Sequence, residues 1–282
     1  MHSRFCNPDS CRLVPRRVAV ALQWLYRQRS TAHRSVVTAK RPDLLRRIAA
    51  RIPGAMGAGR AVRRLIDPDL RTIGKLRREQ AGALFQPFPT TFEDRYPELF
   101  DALAARLADI ESPRVLSFGC ADGAEVRSLR RWLPRAAITG IDINARAIAE
   151  ARRKLARDPD PAIRFELAAD VSGEAAQSYD AVLALAVFRH GELERDQPED
   201  CAEIMPFARF AEGVAMLDRI VKPGGWLVIW NSHFRMADTP LAPAYAAQTL
   251  PWSEDAPMVL HYGPDNLRSE QPYAEVLFRK AG

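Results

Sequence analysis

Cysteine is scarce in this 282-residue chain, and its four copies share no pattern. Cys6, Cys11, Cys120 and Cys201 form no CxxC unit, and no histidine stands at zinc-finger spacing. The sequence therefore suggests neither a disulfide framework nor a metal site, and a reducing cytoplasm is the expected compartment. Long apolar runs are missing too. The longest, around residues 18–26, is interrupted by Gln23 and is far shorter than a bilayer-spanning helix, so no membrane span is expected. No internal repeat is visible. Acidic residues are nearly absent from residues 1–41, which gives that stretch some likeness to an organelle transit peptide, although Arg and Ala abound throughout the chain. With these classes set aside, a hydrophobic content of 47% is enough for a substantial core.

Charge is unevenly placed. Residues 1–80 hold 19 Lys+Arg against 5 Asp+Glu, a net of +14, and the remainder carries −8. Apolar positions 18, 22 and 25 and positions 45, 48 and 52 fall on single helical faces, and a third helix is expected near residues 61–66, before an Asp67-Pro68-Asp69 turn. Residues 1–83 thus read as a basic helical N-terminal extension. Nucleic acid or an acidic protein could bind through residues 1–80, because basic segments favour phosphates and carboxylates. Residues 84–110 form an aromatic and proline-rich connector followed by a helix. Phe85, Phe88, Phe92 and Tyr96 could wall a pocket or act as a hydrophobic latch.

Residues 114–144 carry the chemical signal. A buried strand (Val115, Leu116, Phe118) runs into a turn bracketed by Gly119 and Gly123, where backbone can approach a ligand without Cβ obstruction. Val126, Leu129 and Leu133 then recur at helical spacing, and a second strand ends at Asp142. A carboxylate only accepts hydrogen bonds and can take both hydroxyls of a ribose, so glycine turn and strand-end acid separated by one helix point to an adenosine cofactor. Strand and helix keep alternating. Further strands are expected at residues 162–167, 179–187 and 226–230, with the last approached through Lys222-Pro223-Gly224-Gly225. Two short strands at 259–262 and 275–279 suggest a closing hairpin.

This order of parts resembles the class I S-adenosylmethionine-dependent methyltransferases over about residues 110–280. The resemblance implies an α/β, Rossmann-like, seven-stranded, mostly parallel sheet with a C-terminal antiparallel hairpin, and residues 111–282 as the domain that binds S-adenosyl-L-methionine. It assigns Ser117, Phe118, Gly119, Cys120, Ala121 and Gly123 to the methionine end, with turn amides gripping the cofactor. Asp142 and Ile143 fall to the ribose, and Asp170, flanked by Ala169 and Val171, to the adenine. Ala184 opens the segment, residues 184–190, where cofactor and substrate face each other. Many members carry an acid where this chain has Ser117. The motif SFGCADGAE is locally similar to that of chemotaxis receptor methyltransferases, in which a Glu follows the second glycine as Glu125 does here. His190, just past the fourth strand, is the candidate base, with His233 and His261 as rivals. Cys201 has no evident base beside it. Transfer to an O or N nucleophile of a small molecule is the resulting expectation. The alternatives are a silent adaptor acting through the basic region, or a nicotinamide-dependent oxidoreductase, whose G-x-G-x-x-G fingerprint is not matched by G-x-x-x-G.

Overall fold

The computed structural model describes residues 67–282 apart from 81, 88–90, 255–258 and 272, and residues 67–282 make up one compact unit. The helices expected within residues 1–66, and Phe88, lie outside the described residues.

Where the sequence suggested a turn, a helix begins. The Leu70 amide donates to Asp67 Oδ1, and Pro68 takes the first helical position, where its missing N–H costs nothing, so α1 runs Pro68–Glu79. The described residues between 80 and 96, here called the strap, are irregular and precede α2 (Pro97–Arg106). Alternation follows: β1 (Arg114–Phe118), α3 (Ala124–Trp132), β2 (Ala137–Asp142), α4 (Ala145–Arg157), β3 (Ile163–Leu167), β4 (Tyr179–Leu185), α5 (Gly191–Asp196), α6 (Phe207–Asp218) and β5 (Val221–Trp230). These five strands are parallel in the order β3-β2-β1-β4-β5.

Side-chain alternation along each central strand feeds two apolar layers. Val115, Ala181, Leu183, Val228 and Trp230 point to the face covered by α2, α3 and α4, where Leu99, Phe100, Val126, Leu129 and Ile148 are buried. Leu116, Phe118, Val182, Leu227 and Ile229 point to the other, covered by Phe210, Val214 and Leu217 of α6. Each such residue contributes roughly 1.5–3 kcal/mol on full burial, which fixes the register of the strands and hence the position of their ends.

The rest of the chain comprises β6 (Tyr245–Thr249), α7 (Pro251–Glu254), β7 (His261–Tyr262), β8 (Arg268–Ser269) and β9 (Glu275–Lys280). β9 inserts antiparallel between β5 and β6, giving a seven-stranded sheet in the order β3-β2-β1-β4-β5-β9-β6. A C-terminal hairpin is present as β7-β8, in a sheet of its own. Residues 259–262 therefore do not pair with β9; its partner is β6. YAAQT reads poorly as a strand because it has no β-branched residue before Thr249. Its place is set instead by contacts: the Tyr245 hydroxyl donates to Asp218 Oδ1 at 2.7 Å, and Arg106 donates twice to Gln248 Oε1, at 3.0 and 2.7 Å. β5 also starts earlier than expected, since Val221 pairs with Tyr179 and a register shift takes up the Pro-Gly-Gly segment. Among the described residues no helix is long and apolar enough to cross a membrane.

Candidate functional site

Strand order reverses between β1 and β4, and a parallel sheet leaves a crevice at the carboxyl ends of its strands at such a point. The crevice here is partly open to solvent. Phe118, Gly119, Ala121 and Glu125 line it from β1 and the turn into α3, and Asp142, Ile143 and Asn144 from the end of β2. Ala168 and Ala169 follow β3, and Leu185, Ala186 and Val187 come from β4. Leu76 of α1 and the strap, through residues 83–87, Thr91 and Arg95, form the opposite wall.

The turn between β1 and α3 is built from left-handed backbone at Gly119 (φ 73°), Ala121 (φ 49°) and Gly123 (φ 80°). A Cβ on Gly119 would stand 2.6 Å from a Val187 methyl, and one on Gly123 would stand 2.7 Å from the Phe165 ring. The two glycines thus make room for the protein's own side chains, and only Gly119 of the pair lines the crevice. The amides expected to cradle a ligand are also committed elsewhere. Gly119 and Cys120 donate to the Ile141 carbonyl at 2.8 and 3.0 Å, Ala121 donates to Asp142 Oδ2 at 2.8 Å, and Gly123 donates to the Cys120 carbonyl at 3.0 Å. These bonds clamp the turn against β2, because a buried amide in this position must find an acceptor within the protein. Two acidic side chains beside the turn face the crevice.

Asp142 is one of them. Its Oδ2 takes the Ala121 amide and its Oδ1 takes the Asn144 amide at 2.7 Å, so it joins the turn to the start of α4. Burial raises its pKa, opposed by these two bonds. Each carboxylate oxygen keeps a second lone pair, which leaves capacity for two hydroxyl donors. Asn144 caps α4 by accepting from the Arg146 and Ala147 amides at 3.0 and 3.2 Å.

Glu125 is the other, and with Arg95 it makes a pair the sequence did not single out. The Ser117 hydroxyl donates to Glu125 Oε1 at 2.9 Å. Burial pushes the Glu125 carboxyl up to about 7, with the Ser117 bond and the Arg95 charge pulling the other way. Arg95 is held by aromatic faces: its guanidinium carbon lies 5.1 Å from the Tyr96 ring centroid and 5.7 Å from that of Phe92. Tyr96 is fixed in turn by Asn231, whose Nδ2 donates to the tyrosine oxygen at 2.7 Å. The strap is fastened on both sides. Phe85 packs edge-on against Phe188 at 4.9 Å, and Glu93 and Asp94 pair with Arg127 and Arg131 of α3 at 2.8 and 2.5 Å. The sequence motif named both Ser117, in the place of the family's usual acid, and Glu125 eight residues later, but gave Glu125 no role.

Of the other expected residues, Phe118, Ala121, Ile143 and Ala169 line the crevice. Ser117 is fully buried and reaches the crevice only through Glu125. Cys120, Val171 and Ala184 are packed in the two apolar layers and do not line it. Asp170 is exposed beside the mouth, its Oδ1 taking the Ser172 amide at 2.8 Å, and bonding to Ser172 lowers its pKa. Phe85 is a wall residue, whereas Phe92 is 45% exposed and serves Arg95.

The structure places His190 outside the crevice lining. It is buried at the N-cap of α5, where Nδ1 accepts the Glu192 amide at 3.2 Å. Burial lowers its pKa to about 4, so the ring is a neutral structural cap and a weak base. The rivals His233 and His261 do not line the crevice either. His233 is fully buried with Nδ1 2.7 Å from the Leu260 carbonyl oxygen, and burial lowers His261 to about 4. Burial raises the Cys201 thiol to about 12, which removes it as a nucleophile.

Residues 116–227 match the family profile of a methyltransferase domain. Similar solved structures include coclaurine N-methyltransferase bound to N-methylheliamine and SAH, 15% identical over 47% of this chain and 33% of that one, with a TM-score of 0.36. The plantazolicin methyltransferase BpumL in complex with SAH is 18% identical over 59% of this chain and 55% of its own, with a TM-score of 0.35. An S-adenosylmethionine-dependent methyltransferase from Mesorhizobium loti is 24% identical over 48% and 54%, with a TM-score of 0.32. The chain thus spans between a third and about half of the length of these proteins. No curated protein matches it. The matched residues run from β1 into β5, the strands whose carboxyl ends form the crevice, so over that span the chain is similar to methyltransferase domains.

Proposed function

We propose that the protein transfers a methyl group from S-adenosylmethionine to an O or N nucleophile of a small molecule. The observation that carries this reading is the charge in the crevice lining: Asp142, with spare acceptor capacity, together with Arg95 and Glu125. These residues fit the cofactor group by group. Asp142 accepts from the ribose diol. Ile143, Ala168 and Ala169 supply an apolar wall suited to a purine, beside which Asp170 stands at the rim. Arg95 and Glu125 carry opposite charges that suit the carboxylate and ammonium of an amino acid.

When bound, the cofactor supplies an electrophilic methyl group on a sulfonium. The task left to the protein is to align the nucleophile with it and keep water out. Leu185, Ala186 and Val187 present an apolar floor for that purpose, and the strap closes the crevice from the other side. With His190 serving as a cap, the acceptor brings its own lone pair, as a neutral amine or an ionised oxygen does. A small acceptor suits a crevice walled on both sides.

The test is transfer of a labelled methyl group from S-adenosylmethionine to fractions of a cell extract. Label in a fraction of small molecules supports the proposal; label in protease- or RNase-sensitive material replaces it with a macromolecular acceptor, the alternative suggested by the charge of residues 1–80. Folded protein that neither transfers label nor binds S-adenosylhomocysteine contradicts the cofactor reading itself.

A further inference from the structure

Glu125 is a carboxylate that the protein half-buries in the crevice lining without giving it a full charge partner. It accepts a hydrogen bond from a neutral hydroxyl, Ser117 of β1, and it faces a crevice rather than the core. The titratable and charged groups around it are Arg95 and Tyr96 from the strap, Cys120 and Asp122 from the turn, and Asp142 across the crevice. Arg95 is held against aromatic faces, and Asp142 is committed to two backbone amides. A carboxyl so placed ionises readily only when a cation arrives. The α-ammonium at the methionine end of the cofactor is such a cation.

Resting on the cofactor reading of this crevice, we propose that Glu125 ties cofactor binding to release of a proton, so that the protein selects ligands bearing an α-ammonium and binds them less well as the solution becomes acidic. The balance is simple. In the empty protein part of the population carries a proton on a Glu125 oxygen. On binding, that O–H bond breaks, the proton passes to buffer, and the carboxylate takes up hydrogen bonds from an ammonium that was already protonated. Because the empty carboxyl titrates at about 7, the release expected is roughly half a proton per ligand at pH 7 and roughly nine-tenths at pH 6. Affinity should fall by up to about tenfold for each unit of pH below 7.

Calorimetric titration of S-adenosylhomocysteine into the full chain, in buffers of different ionisation enthalpy at pH 6 and 7, measures this number. 5′-Methylthioadenosine, which keeps the nucleoside and sulfur but lacks the amino acid, serves as the control that needs no mutation. The expected result is buffer-dependent heat for the first ligand and buffer-independent heat for the second. Glu125→Gln should abolish the buffer dependence and weaken S-adenosylhomocysteine binding roughly 10- to 100-fold, with 5′-methylthioadenosine little affected. S-adenosylhomocysteine binding with no proton released at either pH, or equal release by the two ligands, overturns the proposal and leaves the cofactor reading intact. Absence of S-adenosylhomocysteine binding altogether overturns both.

Discussion

Two carboxylates face the same crevice from opposite sides of one turn, and the protein treats them differently. Asp142 is bonded by two backbone amides, so its charge is used to build the fold as well as to meet a ligand. Glu125 is bonded by a single side-chain hydroxyl and burial holds its pKa near 7, so its charge is in reserve. The difference separates a group that organises the site from one whose ionisation completes it. Stability and binding should therefore move together at Asp142 and in opposite directions at Glu125.

The largest effect is expected at Asp142. In Asp142→Ala the amides of Ala121 and Asn144 lose their acceptor in a buried place, and leaving a buried donor unpaired costs about 1–3 kcal/mol each. Urea denaturation should show a loss of about 2–5 kcal/mol, together with a fall in S-adenosylhomocysteine affinity. Unchanged stability would mean that the turn is held by its glycines and the Ile141 carbonyl alone.

Glu125→Gln should do the reverse to stability. A carboxyl whose pKa is raised on folding binds more protons folded than unfolded, so its contribution is lost as pH rises through 4.5 toward 7. Above pH 7 the native ionised Glu125 is a cost of at most about 3 kcal/mol in the empty protein, which the amide does not incur. The variant should accordingly melt higher than the parent at pH 8 and near the parent at pH 5. A lower melting temperature at pH 8 would show that Glu125 is a structural acid like Asp142.

The same contrast explains what the sequence could and could not disclose. Strands buried on both faces read as continuous apolar runs, so β1, β2 and β4 were legible, and an acid at the end of one of them stands out. Glu125 was legible as part of the motif but not as a site residue, because a glutamate in the first turn of a helix is ordinary there, where it complements the helix dipole. Arg95 lies on irregular chain with no periodicity to mark the side it faces. Within the turn the motif named a stretch, but a chain that passes close to a ligand shows it only some of its residues: Gly119 and Ala121 line the crevice while Cys120 and Gly123 turn into the protein. His190 was legible as a position past β4 but not as a cap, since the six-residue helix it starts has no apolar stripe to announce it.

A smaller effect belongs to the turn that lies between the two acids. Gly119→Ala places a methyl against Val187 and asks alanine to hold φ 73°, a left-handed conformation costing about 1–2 kcal/mol. Combined with Val187→Ala, the clash is removed and the backbone cost remains. The double mutant should recover part of the loss seen in the single one, and strict additivity in a denaturation cycle would show that the two residues do not touch.

Ser117→Ala probes the weaker of the two acid attachments and should have the smallest effect. The hydroxyl now favours ionised Glu125, so its removal pushes that pKa further up. A neutral Glu125 in the empty protein tolerates the loss, and the melting temperature at pH 6 should change little. Binding must then drive a larger ionisation, so proton release with S-adenosylhomocysteine at pH 7 should rise from roughly one half toward one, while affinity falls by a factor corresponding to about 0.5–1.5 kcal/mol. Equal proton release in the parent and the variant would place the control of Glu125 in Arg95 instead, the remaining group that favours its charged form.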